Sequence, residues 1–156
     1  MKEVEEVALY RSVVVGTDGS ESSFRAVERA AEVAGAAGAT LYIATAYQQQ
    51  GGSSSGPASD ALKGEAFQIT GNAPAYEILH SAADRARNAG AQRIEERAIA
   101  DKNPVDALID LVIGVKADLL VVGNRGLSSI TGRILGSVPS DVARKADIDV
   151  LIVHTV

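Results

Sequence analysis

Ser12-Val13-Val14-Val15-Gly16-Thr17-Asp18-Gly19-Ser20 runs from a β-branched segment straight into a glycine-rich turn. The apolar run shows no period-two alternation. Both faces of the strand it predicts should therefore be buried, as in a parallel sheet covered by helices. Beyond the turn, Phe24, Val27, Ala31 and Ala34 recur at spacings of three and four, which places them on one face of a helix beginning at Ser20. Gly35 and Gly38 are both suited to ending it. A buried strand, a glycine turn and an amphipathic helix form the opening of a β-α-β unit.

The same grammar recurs outward from this stretch. Leu41 to Ala46, Leu119 to Val122 and Val150 to Val153 read as further buried strands, whereas Arg93 to Ile99 alternates more and reads as a strand at the sheet edge. From Pro74 to Ala89, the residues Ile78, Leu79, Ala82 and Ala86 form one apolar helix face. Asn103-Pro104-Val105-Asp106 is a helix start, with an Asn cap, a Pro in the first turn and an acid near the positive end. Val105, Leu108, Ile109 and Val112 then face inward, and a last helix should start near Pro139 with Val142 and Ala146 inward. Alternating strands and helices imply an α/β fold. It is a single doubly wound domain with a five-stranded parallel sheet and helices on both faces. Residues 1–10 read as an N-terminal tail and 11–156 as the domain. Residues 47–73 break the rhythm as a long flexible loop. A short helix from Ala58 to Phe67 could sit inside it, and it serves either as a plain mobile loop or as partial cover for a ligand.

Composition narrows the function classes. A chain of 156 residues suits one domain. With 46% apolar but only 4% aromatic residues and no Trp, its core must be built from Val, Ile, Leu and Ala. The formal net charge of −5 argues against a dedicated nucleic-acid binder, which needs a basic face, yet is compatible with a single small anionic ligand in a locally positive pocket. The absence of Cys rules out disulfides, thiolate metal sites and cysteine nucleophiles. The N-terminus does not read as a signal peptide, and no apolar run approaches the roughly 18 residues that would span a bilayer. Cytoplasmic residence is the default reading.

Two turns carry the candidate chemistry. One is Gly16-Thr17-Asp18-Gly19-Ser20; the other is Gly123-Asn124-Arg125-Gly126, which runs on through Gly132 to Gly136-Ser137 ahead of the last helix. Both follow the carboxyl ends of strands, where open α/β sheets bind ligands. If the two strands are neighbours, the turns face each other. The chemistry suits a phosphate: glycines allow close backbone approach, Gly136-Ser137-Val138 lies at a helix start, and Arg125 and Arg133 supply positive charge. Asp18 cannot hold a phosphate but can bond a ribose hydroxyl or an adenine amine, or help bind a metal. Each feature alone also has a plain reading, since glycine after a strand is common turn chemistry and single arginines are usually solvated. Gly52-Ser53-Ser54-Ser55-Gly56 matches a hydrolase pattern but lacks the flanking strand and helix. There is no P-loop lysine, and neither His80 nor His154 has metal-ligand spacing.

Taken in order, these motifs resemble the universal stress protein family. Gly123-x-x-Gly126, nine residues, then Gly136-Ser137 is similar to that family's nucleotide-binding motif. Val13 to Ser20, Ala117 to Gly123 and Asp149 to Val153 resemble its first, fourth and last strands, and the likeness extends from Arg11 to Val156 apart from much of the 47–73 loop. The resemblance implies strand order 3-2-1-4-5 and homodimers that pair the last strand (Val150, Leu151, Ile152 and Val153). It also implies adenine-nucleotide binding. Carried over, Thr17, Asp18 and Ala46 would border adenine and ribose, and Val122, Gly123, Gly126, Gly136, Ser137 and Val138 would border ribose and phosphates. Pro139 departs from the family's usual hydroxyl residue, removing one N–H donor and one hydroxyl at the phosphate end. With two arginines and no P-loop lysine, this leans toward a ligand with fewer phosphates, cyclic AMP before ATP; ATP would bring Mg2+. The chain also resembles the actinobacterial branch whose members include cyclic-AMP binders. The expected function is a regulatory, stress-response binding module with no catalytic residues. The alternatives are a slow metal-dependent ATP hydrolase using Asp18, for which no water-positioning residue can be assigned, and an interaction module with a vestigial pocket.

Overall fold

The computed structural model describes residues 9–48, 72–124 and 137–155. Among these, the order is β1 (Ser12–Gly16), α1 (Glu21–Ala37), β2 (Thr40–Tyr47), α2 (Asn72–Ala89), β3 (Arg93–Ala100), α3 (Pro104–Val115), β4 (Leu119–Gly123), α4 (Ser137–Lys145) and β5 (Asp149–Val153). The five strands are parallel in the order β3-β2-β1-β4-β5. The short helix expected from Ala58 to Phe67 lies outside the described residues.

The valine run behaves as its pattern requires. Val13, Val14 and Val15 are all 0% exposed because alternate residues pack into two different layers. Val13 and Val15 join Leu41, Ile43, Leu119 and Val121 beneath α1 and α2. Val14 joins Ala44, Leu120 and Val122 beneath α3 and α4, against Val105, Leu108, Val112 and Val142. Burying each such side chain is worth about 1.5–3 kcal/mol, so the central strands carry much of the hydrophobic stabilisation. The strand with the more alternating sequence, β3, lies at one edge as expected, and β5 lies at the other. No helix among the described residues is long and apolar enough to cross a membrane.

Local signals set the helix ends. Ser20 caps α1 by accepting from the Ser23 N–H at 3.1 Å, and the Asn103 side chain caps α3 by accepting from the Asp106 N–H at 2.9 Å. At their C-termini, α1, α2 and α3 close in the same way. A residue with positive φ (Gly38, Gly90 or Lys116) is followed by an N–H that returns to the helix: Ala39 to the Ala34 carbonyl, Ala91 to Ala86, and Ala117 to Val112. The last helix starts at Ser137, two residues before the expected Pro139. Pro139 therefore sits in the first turn, where a missing N–H costs no intrahelical bond. Asp118, just before β4, ties the starts of the central strands together. Its carboxylate accepts from the N–H groups of Ser12 at 3.0 Å and Arg11 at 3.1 Å, while its own N–H donates to the Ser12 carbonyl at 2.9 Å.

Gly38, and not Gly35, ends α1. Gly35 lies within the helix and makes room for a neighbour: a Cβ built there would stand 2.3 Å from the Gly90 carbonyl oxygen at the end of α2. The two helices are also joined by Arg85, whose guanidinium bonds Glu21 at 2.8 Å and Glu28 at 3.0 Å and lies 4.8 Å from the Phe24 ring centroid.

These contacts set opposite signs for two substitutions that look alike in sequence. Gly35→Ala should destabilise the protein, because an overpacking cost of ~1–3 kcal/mol against backbone outweighs a helix-propensity gain of at most ~1 kcal/mol. Gly114→Ala, in α3, meets nothing within 4 Å and should stabilise by about 0.5–1 kcal/mol. A urea-denaturation midpoint that did not fall for Gly35→Ala would contradict this account of Gly35.

Candidate functional site

Register brings the two glycine turns together. Val13, Val14 and Val15 of β1 pair with Leu119, Leu120 and Val121 of β4. Gly16 and Gly123 thus end adjacent central strands at the same edge of the sheet.

The first turn is shaped by hydroxyl groups. The Ser23 hydroxyl donates to the Ser20 carbonyl at 2.9 Å, so it accepts from the Thr17 hydroxyl at 2.7 Å and from the Asp18 N–H at 3.3 Å. Thr17 Oγ1 in turn accepts from the Gly19 N–H at 3.1 Å. The Thr17 N–H donates to the Ala44 carbonyl at 2.9 Å, fastening the turn to β2. Asp18 Oδ1 accepts from the Ser20 N–H at 2.9 Å, an Asx turn that leads into α1. Gly19 has φ +89, a left-handed conformation that side chains rarely adopt.

The second turn leaves β4 at Gly123. The Asn124 N–H donates to the Val153 carbonyl at 2.8 Å, and the Asn124 amide oxygen accepts from both the N–H and the hydroxyl of Thr155, at 2.9 and 3.0 Å. Since the Thr155 hydroxyl donates to Asn124, it accepts from the Ser22 hydroxyl at 2.7 Å. A Cβ on Gly123 would press on the Thr155 methyl at 3.2 Å, so glycine is what permits this close packing. Beside these turns, Ala44, Thr45, Ala46, Pro104, Ala107 and Leu108 enclose a cavity of about 10 Å³. The Thr45 hydroxyl is buried and has no hydrogen-bond partner among the described residues.

Of the residues singled out by sequence, the described turns bring together Gly16, Thr17, Asp18 and Gly123, with half-buried Ala46 at the end of neighbouring β2. Ser137 is the first residue of α4. Arg125, Gly126, Arg133 and Gly136 lie outside the described residues. Thr17, Val122 and Val138 have buried side chains: the Thr17 hydroxyl is engaged in the turn, while Val122 of β4 and Val138 of α4 belong to the same core layer. Sequence reasoning missed Ser22, Ser23, Thr45 and Thr155, since a serine or threonine carries no periodic signal of its partner. No group of three or more His, Cys, Asp or Glu among the described residues could hold a metal ion. His80 is exposed and meets Glu96 at 3.1 Å, and His154 is exposed beyond β5.

Thr17→Val should keep the shape of the first turn's buried side chain and remove its hydroxyl, leaving the Gly19 N–H without its acceptor. A loss of about 1–3 kcal/mol is expected, as for other stranded buried polar groups. A variant whose chemical-denaturation stability matched the parent's would show that this network does not hold the turn.

Comparison with known proteins gives a consistent picture. The model of the universal stress protein family matches residues 9–154. The chain is 59% identical over 149 residues to Universal stress protein Rv1636 of Mycobacterium tuberculosis, a match covering 96% of this chain and 99% of that protein. The crystal structure of a universal stress protein in complex with cAMP matches with a TM-score of 0.72 and 54% identity, covering 94% of this chain and 98% of that one. The universal stress protein from Archaeoglobus fulgidus in complex with dAMP matches with a TM-score of 0.65 and 28% identity, over 92% and 98% of the two chains. With the strand order and the paired turns already in place, the chain belongs to the universal stress protein family.

Proposed function

We propose that this protein is a regulatory module that binds an adenine nucleotide, cyclic AMP or ATP, in the crevice between the two turns. The observation that carries the reading is the cAMP complex of a protein 54% identical across 94% of this chain. In this reading Gly16, Thr17, Asp18 and Ala46 border adenine and ribose. Gly123, Gly126, Gly136 and Ser137, with the backbones of Val122 and Val138, border ribose and phosphate, and Arg125 and Arg133 offset its charge. A ligand with one phosphate is favoured over ATP, because Pro139 has no N–H to offer and there is no P-loop lysine. The dAMP bound by the Archaeoglobus fulgidus relative also carries a single phosphate. ATP, if bound, would bring Mg2+. The protein works by binding and not by turnover, and the cytoplasm is its proposed location.

A second copy completes the assembly. Strand β5 is an edge strand, and Ile152 on it is 40% exposed. Unpaired edges invite association, and a two-fold partner pairing Val150, Leu151, Ile152 and Val153 with their copies would satisfy this one.

Calorimetry with cyclic AMP, AMP and ATP tests the first reading. Cyclic AMP or AMP should bind more tightly than ATP. Gly126→Asp, which sets a carboxylate against the phosphate, should weaken binding at least ~10-fold while the fold survives, since a charge-assisted contact is worth about 1.5–3 kcal/mol. A parent protein that binds none of the three overturns the proposal. Sedimentation should show a dimer for the parent and a monomer for Ile152→Asp; a parent that is monomeric at micromolar concentration rules out the β5 pairing.

A further inference from the structure

We propose that Thr155, with Ser22 behind it, is a positioning residue for the nucleotide turn: a hydroxyl relay from α1 fixes Asn124, the residue that follows β4. The inference rests on the nucleotide-binding reading above and adds to it a residue outside the glycine motif.

The relay joins three distant parts of the chain. Ser22 lies in the first turn of α1, directly after the Gly16 to Ser20 turn. Its hydroxyl donates to Thr155 Oγ1 at 2.7 Å across 133 positions of sequence. The Thr155 hydroxyl donates to the Asn124 amide oxygen at 3.0 Å, and the Thr155 N–H reaches the same oxygen at 2.9 Å. With the Asn124 N–H on the Val153 carbonyl, the backbone of Asn124 is held by the last residue of β5 and its side chain by Thr155 just beyond. Thr155 is only 5% exposed, so water competes poorly for these bonds.

Packing alone does not account for the hydroxyls. Thr155 already fills the space above Gly123 with its methyl group, 3.2 Å from where a Cβ would stand. Valine has the same shape as threonine and would fill that space as well. The hydroxyl adds direction, since it accepts from one glycine turn's helix and donates to the other turn. Each turn is thereby oriented with respect to the other, as a crevice that grips the two ends of one ligand requires. A donor displaced by a fraction of an ångström loses much of a hydrogen bond, so loosening Asn124 should be felt where the phosphate binds and not at the base.

The test compares AMP with adenosine, in calorimetry on the full chain, for the parent, Thr155→Val, Thr155→Ser and Ser22→Ala. Thr155→Val should weaken AMP by about 3–10-fold, the worth of one net hydrogen bond, and leave adenosine within about twofold. Thr155→Ser retains the hydroxyl and should bind AMP within about twofold of the parent. Ser22→Ala removes only the outer donor from a half-exposed site, folds normally, and should lose about 2–5-fold for AMP alone. Equal losses for AMP and adenosine, or none for either, overturn the positioning role while leaving nucleotide binding intact. A parent that binds no nucleotide instead brings down the functional reading and this one together. Should Thr155→Val fail to fold, the contrast between Ser22→Ala and Thr155→Ser decides the matter.

Discussion

The pairing of β1 with β4 is the constraint on which everything else rests. These strands are distant in sequence and become neighbours only because the chain reverses its direction of winding at this point. Asp118 holds them at the end remote from the crevice, where its carboxylate gathers the N–H groups of Arg11 and Ser12. From there the register runs forward through three fully buried valines opposite three buried β4 residues, with no room for slippage. A shift of one residue would turn every side chain to the opposite layer. It would also change the offset between Gly16 and Gly123. Packing in the core and alignment at the site are thus one geometric condition.

At the crevice, short polar side chains do the shaping. Thr17, Ser20, Ser22, Ser23, Asn124 and Thr155 carry the hydrogen bonds that form both turns. Beside them Asp18 adds a charge, and one of its oxygens accepts from the Ser20 N–H. Short side chains lose little entropy on ordering and hold the backbone close. Among the described residues, ion pairs within a helix, such as Arg29 with Glu32, are more than half exposed and contribute little. The Arg85 clamp is better enclosed: its hydrogen bonds to Glu21 and then Glu28 raise the guanidinium pKa above its usual value, and Phe24 lies beneath it.

Much of this was legible from residue order. The unalternating valines announced a strand buried on both faces, the alternation of Arg93 to Ile99 announced an edge, and Asn103-Pro104 marked a helix start to the residue. What escaped depended on contacts between distant segments. Gly35 and Gly38 are equivalent as stop signals, and only the approach of Gly90 explains why the helix passes through the first and ends at the second. Pro139 marked the last helix, but a proline fits several positions of a first turn, so the start fell two residues earlier. At the site, the glycines were visible because a strand followed by glycine is a local pattern. The hydroxyls that orient them were not, because Ser22 and Thr155 meet only in the folded chain.

The repeated left-handed caps at the ends of α1, α2 and α3 have an architectural consequence. Each helix passes into its next strand within two or three residues, from Ala37 to Thr40, Ala89 to Arg93 and Val115 to Leu119. So tight a floor leaves no room for insertions. At the opposite pole two connections stay short, 17–20 and 101–103, while the other two span many more residues, 48–71 and 124–136. The domain is a chassis with one rigid end and one adjustable end. Loops at the adjustable end can change in length and composition without disturbing the hydrophobic layers, so recognition can diverge among relatives while the scaffold beneath it stays the same.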